Sequence, residues 1–246
     1  ASDAQAGDYF GISSNIDGDT VVVGAYSEDS GGSWAGAAYI YTRSGTTWSE
    51  QAKLTASDAQ AGDYFGVHVA ISGNTVVVGA WGEDTGGSQS GAAYVFTRSG
   101  TTWSQQAKLT ASDAQADDNL GYWVCIDGDT VVVGAHNEDA GGTDAGAAYV
   151  FTRSGTTWTQ QQKLASSDIA AGDYFGRCSA ISGDTVVVGA YGDDHNYSSA
   201  GAAYVFTRSG TTWTQQAKLT ASDPEADDYF GFRTAIDGDT VLVGAY

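Results

Sequence analysis

A unit of 55 residues is repeated along the chain without any insertion or deletion. The stretch ASDAQAGDYFG opens at Ala1 and returns at Ala56, and aligned versions of it open the later copies. Four full repeats cover residues 1–55, 56–110, 111–165 and 166–220, and a partial fifth covers 221–246. A fixed period of this length indicates stacked copies of one supersecondary unit, so we treat 1–246 as a single repeat domain.

Each unit is predicted to form four short strands. In the second copy these are 65–71, 75–80, 91–98 and 101–109, with turn sequences such as SGN and RSG between neighbours. The first two strands are apolar almost throughout, as in strands covered on both faces, whereas the fourth is more polar. The pattern predicts an all-β propeller of four-stranded antiparallel blades, with strand one innermost. Four full blades and a half blade fit either a five-bladed ring or part of a larger propeller.

The motifs YFG, VVVGA and GAAYVF follow one another in this order in the copies. They resemble the FG-GAP repeat of integrin-type propellers, in its compact bacterial form, and the resemblance extends over the whole chain. It implies a propeller that binds ligands outside the cell or contributes to adhesion. Integrin-type blades often carry a calcium loop between the first two strands. Here that connection is only IDGDT or ISGNT, too short to supply the usual six to eight or so oxygen ligands.

The charge and composition exclude several classes of partner. The net charge is −20, from 30 acidic and 10 basic residues, and such a chain repels nucleic-acid backbones and anionic lipid. No apolar run approaches the roughly 18 residues of a membrane-spanning helix, and no signal peptide is visible. Because methionine is absent, we expect that the chain was processed or excised from a longer one. An extracellular or cell-surface location is the resulting expectation.

The copies differ mainly in two windows. The first follows the glycine of strand one, where one column reads Ile12, Val67, Tyr122, Arg177, Phe232 and the next reads Ser13, His68, Trp123, Cys178, Arg233. The second starts where strand two ends, with Tyr26, Trp81, His136, Tyr191, Tyr246, and continues into the following loop. The turn TRSGTTW, in contrast, is identical in all four full copies, although an exposed turn is expected to tolerate change.

Both windows are predicted to meet at one face of the propeller. In an antiparallel blade, the connections from strand four to one and from strand two to three emerge at the same end, near the central axis. Tyrosine, tryptophan and arginine anchor many recognition surfaces. We therefore predict a ligand-binding rim composed of Tyr26, Trp34, His68, Trp81, Tyr122, Trp123, His136, Arg177, Tyr191, Tyr197, Phe232 and Arg233. Packing of the channel combined with drift is the alternative explanation of these columns.

Other candidate sites carry weaker signals. Acidic pairs recur after strand two and would be the place for a calcium ion, although such pairs are more often solvated: Glu28-Asp29, Glu83-Asp84, Glu138-Asp139 and Asp193-Asp194. Asp58 and Asp63 are predicted to cap turns through backbone N–H groups. Cys125 is expected to be buried and Cys178 exposed, without a disulfide between them. Residues 196–198 form a glycosylation sequon. No nucleophile–base spacing recurs, so we predict neither catalytic residues nor a required cofactor.

Two functions are compatible with these patterns. The first is recognition of a glycan or a surface protein through the variable rim. The second is a structural subunit that polymerises outside the cell through its incomplete terminal blade. In that blade the strand edge along residues 240–246 has no third strand to pair with, and such an edge can template pairing with another chain.

Overall fold

The computed structural model describes residues 1–195 and 197–246, so Asn196, the first residue of the sequon, lies outside the described residues. All regular secondary structure in the described residues is β-strand, and no helix there is long and apolar enough to cross a membrane. The strands are β1 (Ser14–Asp17), β2 (Thr20–Ala25), β3 (Ala37–Ser44), β4 (Thr47–Leu54), β5 (Val69–Ser72), β6 (Thr75–Ala80), β7 (Ala92–Ser99), β8 (Thr102–Leu109), β9 (Trp123–Asp127), β10 (Thr130–Ala135), β11 (Ala147–Ser154), β12 (Thr157–Leu164), β13 (Cys178–Ser182), β14 (Thr185–Ala190), β15 (Ala202–Ser209), β16 (Thr212–Leu219), β17 (Arg233–Asp237) and β18 (Thr240–Gly244).

The strands form four sheets of four and one sheet of two, each in sequence order and antiparallel. This arrangement confirms four full blades and a half blade. The first strands of neighbouring blades pack against each other, so they lie innermost. The third and fourth strands of each full blade pair through one register shift, for example between Val150 and Phe151.

The first strand of a blade is shorter than predicted. In the second copy it begins at Val69, not at position 65. Phe65 instead forms a parallel bridge with Gly36 of the preceding blade, and its N–H donates to the Ala35 carbonyl at 3.0 Å. Gly66 then has a φ of 94°, which a glycine adopts without steric cost. The Phe-Gly pair is therefore a connection between blades rather than part of the sheet.

The hydrophobic core lies between successive blades. Val22 and Ile40 of the first blade pack on the face of the second blade that carries Phe65, Val76 and Val78. The same face-to-face arrangement recurs at the following junctions. At the last junction, residues of β17 and β18 pack against the fourth blade.

The first and last blades each leave one apolar face exposed. Ile16 is 60% exposed whereas its equivalent Ile71 is 6% exposed, and Leu242 is 70% exposed whereas its equivalent Val77 is fully buried. The first and fifth blades therefore do not pack on each other as their neighbours do. In the described residues the blades thus do not close into a ring through these faces, and the arrangement as part of a larger propeller stays a prediction.

Candidate functional site

The first variable window surrounds a cavity of about 270 Å³ at one end of the central axis. Residues from all five copies line it, including Ile12, Val67, Tyr122, Arg177 and Arg233. These side chains come from the segment before each first strand or from its first residue, which the Phe-Gly connection places close to the axis. Two adjacent positions of the repeated unit therefore supply most of the side chains around this small space, and these side chains differ between copies.

His68 and Trp123 form the floor of this cavity. Their ring centroids are 3.7 Å apart, and both residues also line a second cavity of about 260 Å³ between the first strands. Trp123 Nε1 donates to the Ser179 carbonyl at 2.8 Å, and His68 Nδ1 accepts from the Val124 N–H at 3.4 Å. Burial lowers the pKa of His68 to about 3, and the two nearby arginines lower it as well. The imidazole is therefore neutral near pH 7.

Two arginines stand above the floor, each against aromatic rings. The Arg177 guanidinium carbon lies 4.1 Å from the ring centre of Tyr122 and 5.4 Å from that of Phe232. The corresponding carbon of Arg233 lies 4.7 Å from Phe232 and 4.8 Å from Trp123. Phe232 therefore lies beside both guanidinium groups. Cation–π contacts of this kind hold an arginine while leaving its N–H donors available.

The second window forms two rows of stacked aromatic rings. In the first row, Tyr64 stacks on Trp81 with centroids 4.4 Å apart and lies 6.0 Å from Tyr26. In the second row, Tyr174 stacks on Tyr191 at 5.1 Å and lies 6.4 Å from His136. Burial lowers the pKa of His136 to about 3, and Arg177 contributes to the decrease. Each row thus combines residues from adjacent blades.

Four rim residues were not predicted from the sequence. They are the tyrosines of the DYF motif, which hardly vary between copies: Tyr9, Tyr64, Tyr174 and Tyr229. The one sequence feature that could have indicated them is the third copy, where Asn119 replaces the tyrosine. In the structure, Asn119 Oδ1 accepts a hydrogen bond from Asn137 Nδ2 at 2.7 Å. The rows are not continuous across this position.

The two windows meet in the third to fifth copies. Tyr122 contacts His136 edge to face at 4.6 Å, and Phe232 contacts Tyr191 at 5.6 Å and Tyr246 at 5.2 Å. The second row and the cavity thus form one surface, as the antiparallel topology predicts. The rim, as the structure has it, consists of the two rows and the cavity together.

Two predicted residues lie at the margin of the rim or apart from it. Trp34 is 53% exposed and stacks on Tyr64 at 5.9 Å, at the outer side of the first row. Tyr197 lines a separate depression with Pro224 and Glu225. Cys178, expected to be exposed, is fully buried with its Sγ 3.1 Å from the Gly231 carbonyl, and both cysteines are free thiols.

The acidic residues near the rim form salt bridges and hydrogen bonds with side chains and turns of the repeated unit. Glu83 is buried and lies 2.7 Å from Lys108 Nζ, which also contacts Asp58 at 2.7 Å. Asp58 also accepts from the Tyr94 hydroxyl, so the prediction that it caps a backbone turn is wrong. Asp63 does cap a turn, because its Oδ2 accepts from the Gln60 N–H at 2.7 Å. Within residues 1–195 and 197–246, no three His, Cys, Asp or Glu side chains are grouped closely enough to hold a metal ion.

The model of the FG-GAP repeat matches five segments, residues 1–41, 48–96, 103–151, 158–206 and 213–246. No curated protein sequence matches the chain. The matched segments cover most of the chain and follow its 55-residue period. The chain therefore belongs to the FG-GAP repeat family.

Proposed function

We propose that this chain is a non-enzymatic recognition module that acts outside the cell and binds a glycan or a surface protein through the rim. The observation that carries this proposal is the meeting of the variable side chains of the third to fifth copies in one aromatic and cationic surface. FG-GAP membership supports the extracellular location.

The chemistry of the rim suits recognition. Stacked rings offer rigid apolar area with little loss of conformational entropy on binding, and their polar atoms fix the orientation of a ligand. Trp81 and Tyr191 are each held by a parallel neighbouring tyrosine, with interplanar angles of 3° and 6°. The rim is therefore organised before a ligand arrives, which favours affinity.

The test is binding of the purified chain to a glycan array and to intact cell surfaces. In the double variant Trp81→Ala, Tyr191→Ala, we expect binding to fall about tenfold or more, as for anchors of an interface. The matched control is Trp48→Ala, which removes a 41% exposed tryptophan from β4. Equal losses in the rim variant and the control, or no loss in either, would contradict the proposal.

Self-assembly is a second candidate function, favoured by the exposed faces of the terminal blades. Leu242 occupies the position of Val22, which belongs to the same buried cluster as Val76 and Val78 of the next blade. The half-exposed equivalents of these partners on the first blade are Val21 and Val23. A second copy would therefore find, on the first blade, a face similar to the one that Val22 contacts. Such head-to-tail contacts repeat indefinitely unless the rotation closes them into a ring.

A further inference from the structure

The basic residues of this acidic protein fall into two groups. Eight of the ten belong to the repeated framework and have polar partners there. Each framework lysine contacts two carboxylates, as Lys163 does with Asp113 at 2.7 Å and Glu138 at 2.8 Å. The framework arginines bond acceptors at or just before the first residue of the second strands, as Arg153 does with Asp129. The remaining two are Arg177 and Arg233, which both line the cavity of the rim.

Neither of these two arginines forms a salt bridge among the residues that the structure describes. Nη1 of Arg177 is buried and has no hydrogen-bond partner there. Arg233 Nη1 donates to the Phe232 carbonyl at 2.9 Å, a neutral acceptor. A guanidinium group keeps its charge in proteins, so the cavity contains two positive charges without an anion.

The surroundings of the pair are neutral. The titratable side chains around the two guanidinium groups are His68, His136, Tyr122, Tyr191 and the buried thiol of Cys178. Burial lowers the pKa of Arg233, and repulsion from Arg177 adds to this effect. A buried donor without a partner and two like charges close together are both unfavourable, and an anion bound between them relieves both.

We propose that the cavity binds the carboxylate group of an acidic sugar, with Arg177 and Arg233 as the anion-binding residues. This inference rests on the proposed function of the rim and specifies the class of its ligand. Carboxylates match the forked donors of arginine. Tyr122, Phe232 and Trp123 provide the apolar surface against which the ring of the sugar packs.

The size of the cavity and the charge of the protein narrow the ligand further. A volume of about 270 Å³ lies just below the range of ligand pockets, roughly 300–1,000 Å³, and suits one sugar residue rather than a chain of them. The net charge of −20 repels polyanions over long distances. A ligand with a single acid group at its exposed end meets the arginines with less of this repulsion.

The experiment is a calorimetric titration of the chain with glucuronate, glucose, acetate and a short peptide rich in aspartate. We expect glucuronate to bind most tightly. Glucose, which lacks the carboxylate, is expected to bind at least about tenfold more weakly. Tighter binding of the peptide would mean that the site takes protein side chains and would overturn the inference. Acetate binding as tightly as glucuronate would overturn the sugar assignment.

Three variants test the residues. Arg177→Gln and Arg233→Gln are each expected to weaken glucuronate binding about tenfold or more, and Arg177→Lys to have a smaller effect because it keeps the charge without the fork. Arg43→Gln is the control, since it removes the same charge from an exposed pair with Asp19. Unfolding midpoints equal to wild type verify that the variants are folded. Unchanged binding in both glutamine variants would overturn the inference.

The failure of this inference can be told apart from failure of the proposed function. If Trp81→Ala, Tyr191→Ala abolishes binding to the array or cell surface while Arg177→Gln and Arg233→Gln leave it intact, the rim recognises a neutral ligand and only the anion site is wrong. If neither pair of changes affects that binding, the rim is not the binding surface.

Discussion

Tyr64 has a backbone φ of 55°, and the same left-handed conformation recurs at Tyr9, Tyr174 and Tyr229. Bulky residues rarely adopt it, and holding one there is unfavourable by about 1–3 kcal/mol. The conformation accompanies the stacking of Tyr64 on Trp81 at the rim. Asn119, a residue type that tolerates this region well, occupies the position in the third copy. A tyrosine that is repeated in four of the five copies is therefore both a strained residue and part of the rim.

Asp118 and Asp173 share another repeated position, directly before Asn119 and Tyr174. Burial raises the pKa of each carboxyl group to about 6, and a nearby acidic side chain adds to the increase. The pKa in the unfolded chain is about 3.9, so the folded state holds the proton more tightly. The stability that this provides is complete below about pH 4 and is lost as the pH rises through 6.

Asp173→Asn is therefore expected to stabilise the protein at pH 8 and to have little effect at pH 4. The asparagine Oδ1 can still accept from the Ala170 N–H, which lies 2.8 Å from the carboxylate in the wild type. The expected gain in the free energy of unfolding at pH 8 is about 1–2 kcal/mol, below the full linkage value because the bond from the Ala170 N–H is weaker to a neutral amide than to a carboxylate. Urea unfolding at both pH values measures it. The same gain at both would assign the effect to something other than charge.

At the scale of the element, the hairpin between the third and fourth strands explains why TRSGTTW does not vary. In the third copy, Arg153 Nη1 donates to Thr75 Oγ1 of the preceding blade at 3.0 Å. Trp158 Nε1 donates to Gln106 Oε1, also of that blade, at 2.8 Å. The Arg153 guanidinium group lies over the Trp158 ring. The turn is exposed, but the residues on either side of it join neighbouring blades. Its invariance therefore does not distinguish recognition from drift in the other columns.

The hairpin contact can be measured with one substitution made in two copies. Trp158→Phe removes the hydrogen bond to Gln106 and is expected to lower the free energy of unfolding by about 1 kcal/mol. Trp48→Phe is the same change in the first blade, where the tryptophan is 41% exposed. We expect that variant to unfold close to the wild-type midpoint in urea. Equal destabilisation of the two variants would mean that the contact between blades is not what the tryptophan supplies.

At the scale of the whole molecule, the exposed terminal faces predict association of the chain with itself. Burial of Leu242, now 70% exposed, against the first blade of another copy would remove apolar surface from water on both molecules. The edge of β18 beside it has no third strand to pair with in the described residues, so edge pairing would add backbone hydrogen bonds.

Light scattering over a range of protein concentrations tests this association. The wild-type mass is expected to rise above the 25.3 kDa of one chain as concentration increases, and Leu242→Asp to return it to that value. Thr156→Asp, which adds the same charge in an exposed turn, is the control and should associate like wild type. A monomer at every concentration, or association that Leu242→Asp leaves unchanged, would argue against assembly through these faces.

The repeat by itself determined the architecture. The sequence shows a constant period, apolar inner strands and turn sequences at fixed positions. These features depend only on local chemistry, so the four-stranded blades and their order can be predicted from the sequence. Variation between copies also indicated the region of the rim. Tyr197 instead lines a separate depression, because its place in the repeated unit does not fix the direction in which its loop turns the side chain.

Only the tertiary structure decided which side chains share a space. The Arg177–Arg233 pair, the two aromatic rows and the exposed faces at Ile16 and Leu242 all depend on rotations between blades. Those rotations result from packing at interfaces between residues about one repeat apart, and no local pattern encodes them. Five copies of nearly one sequence therefore specify a blade, whereas the stacking of blades determines the site.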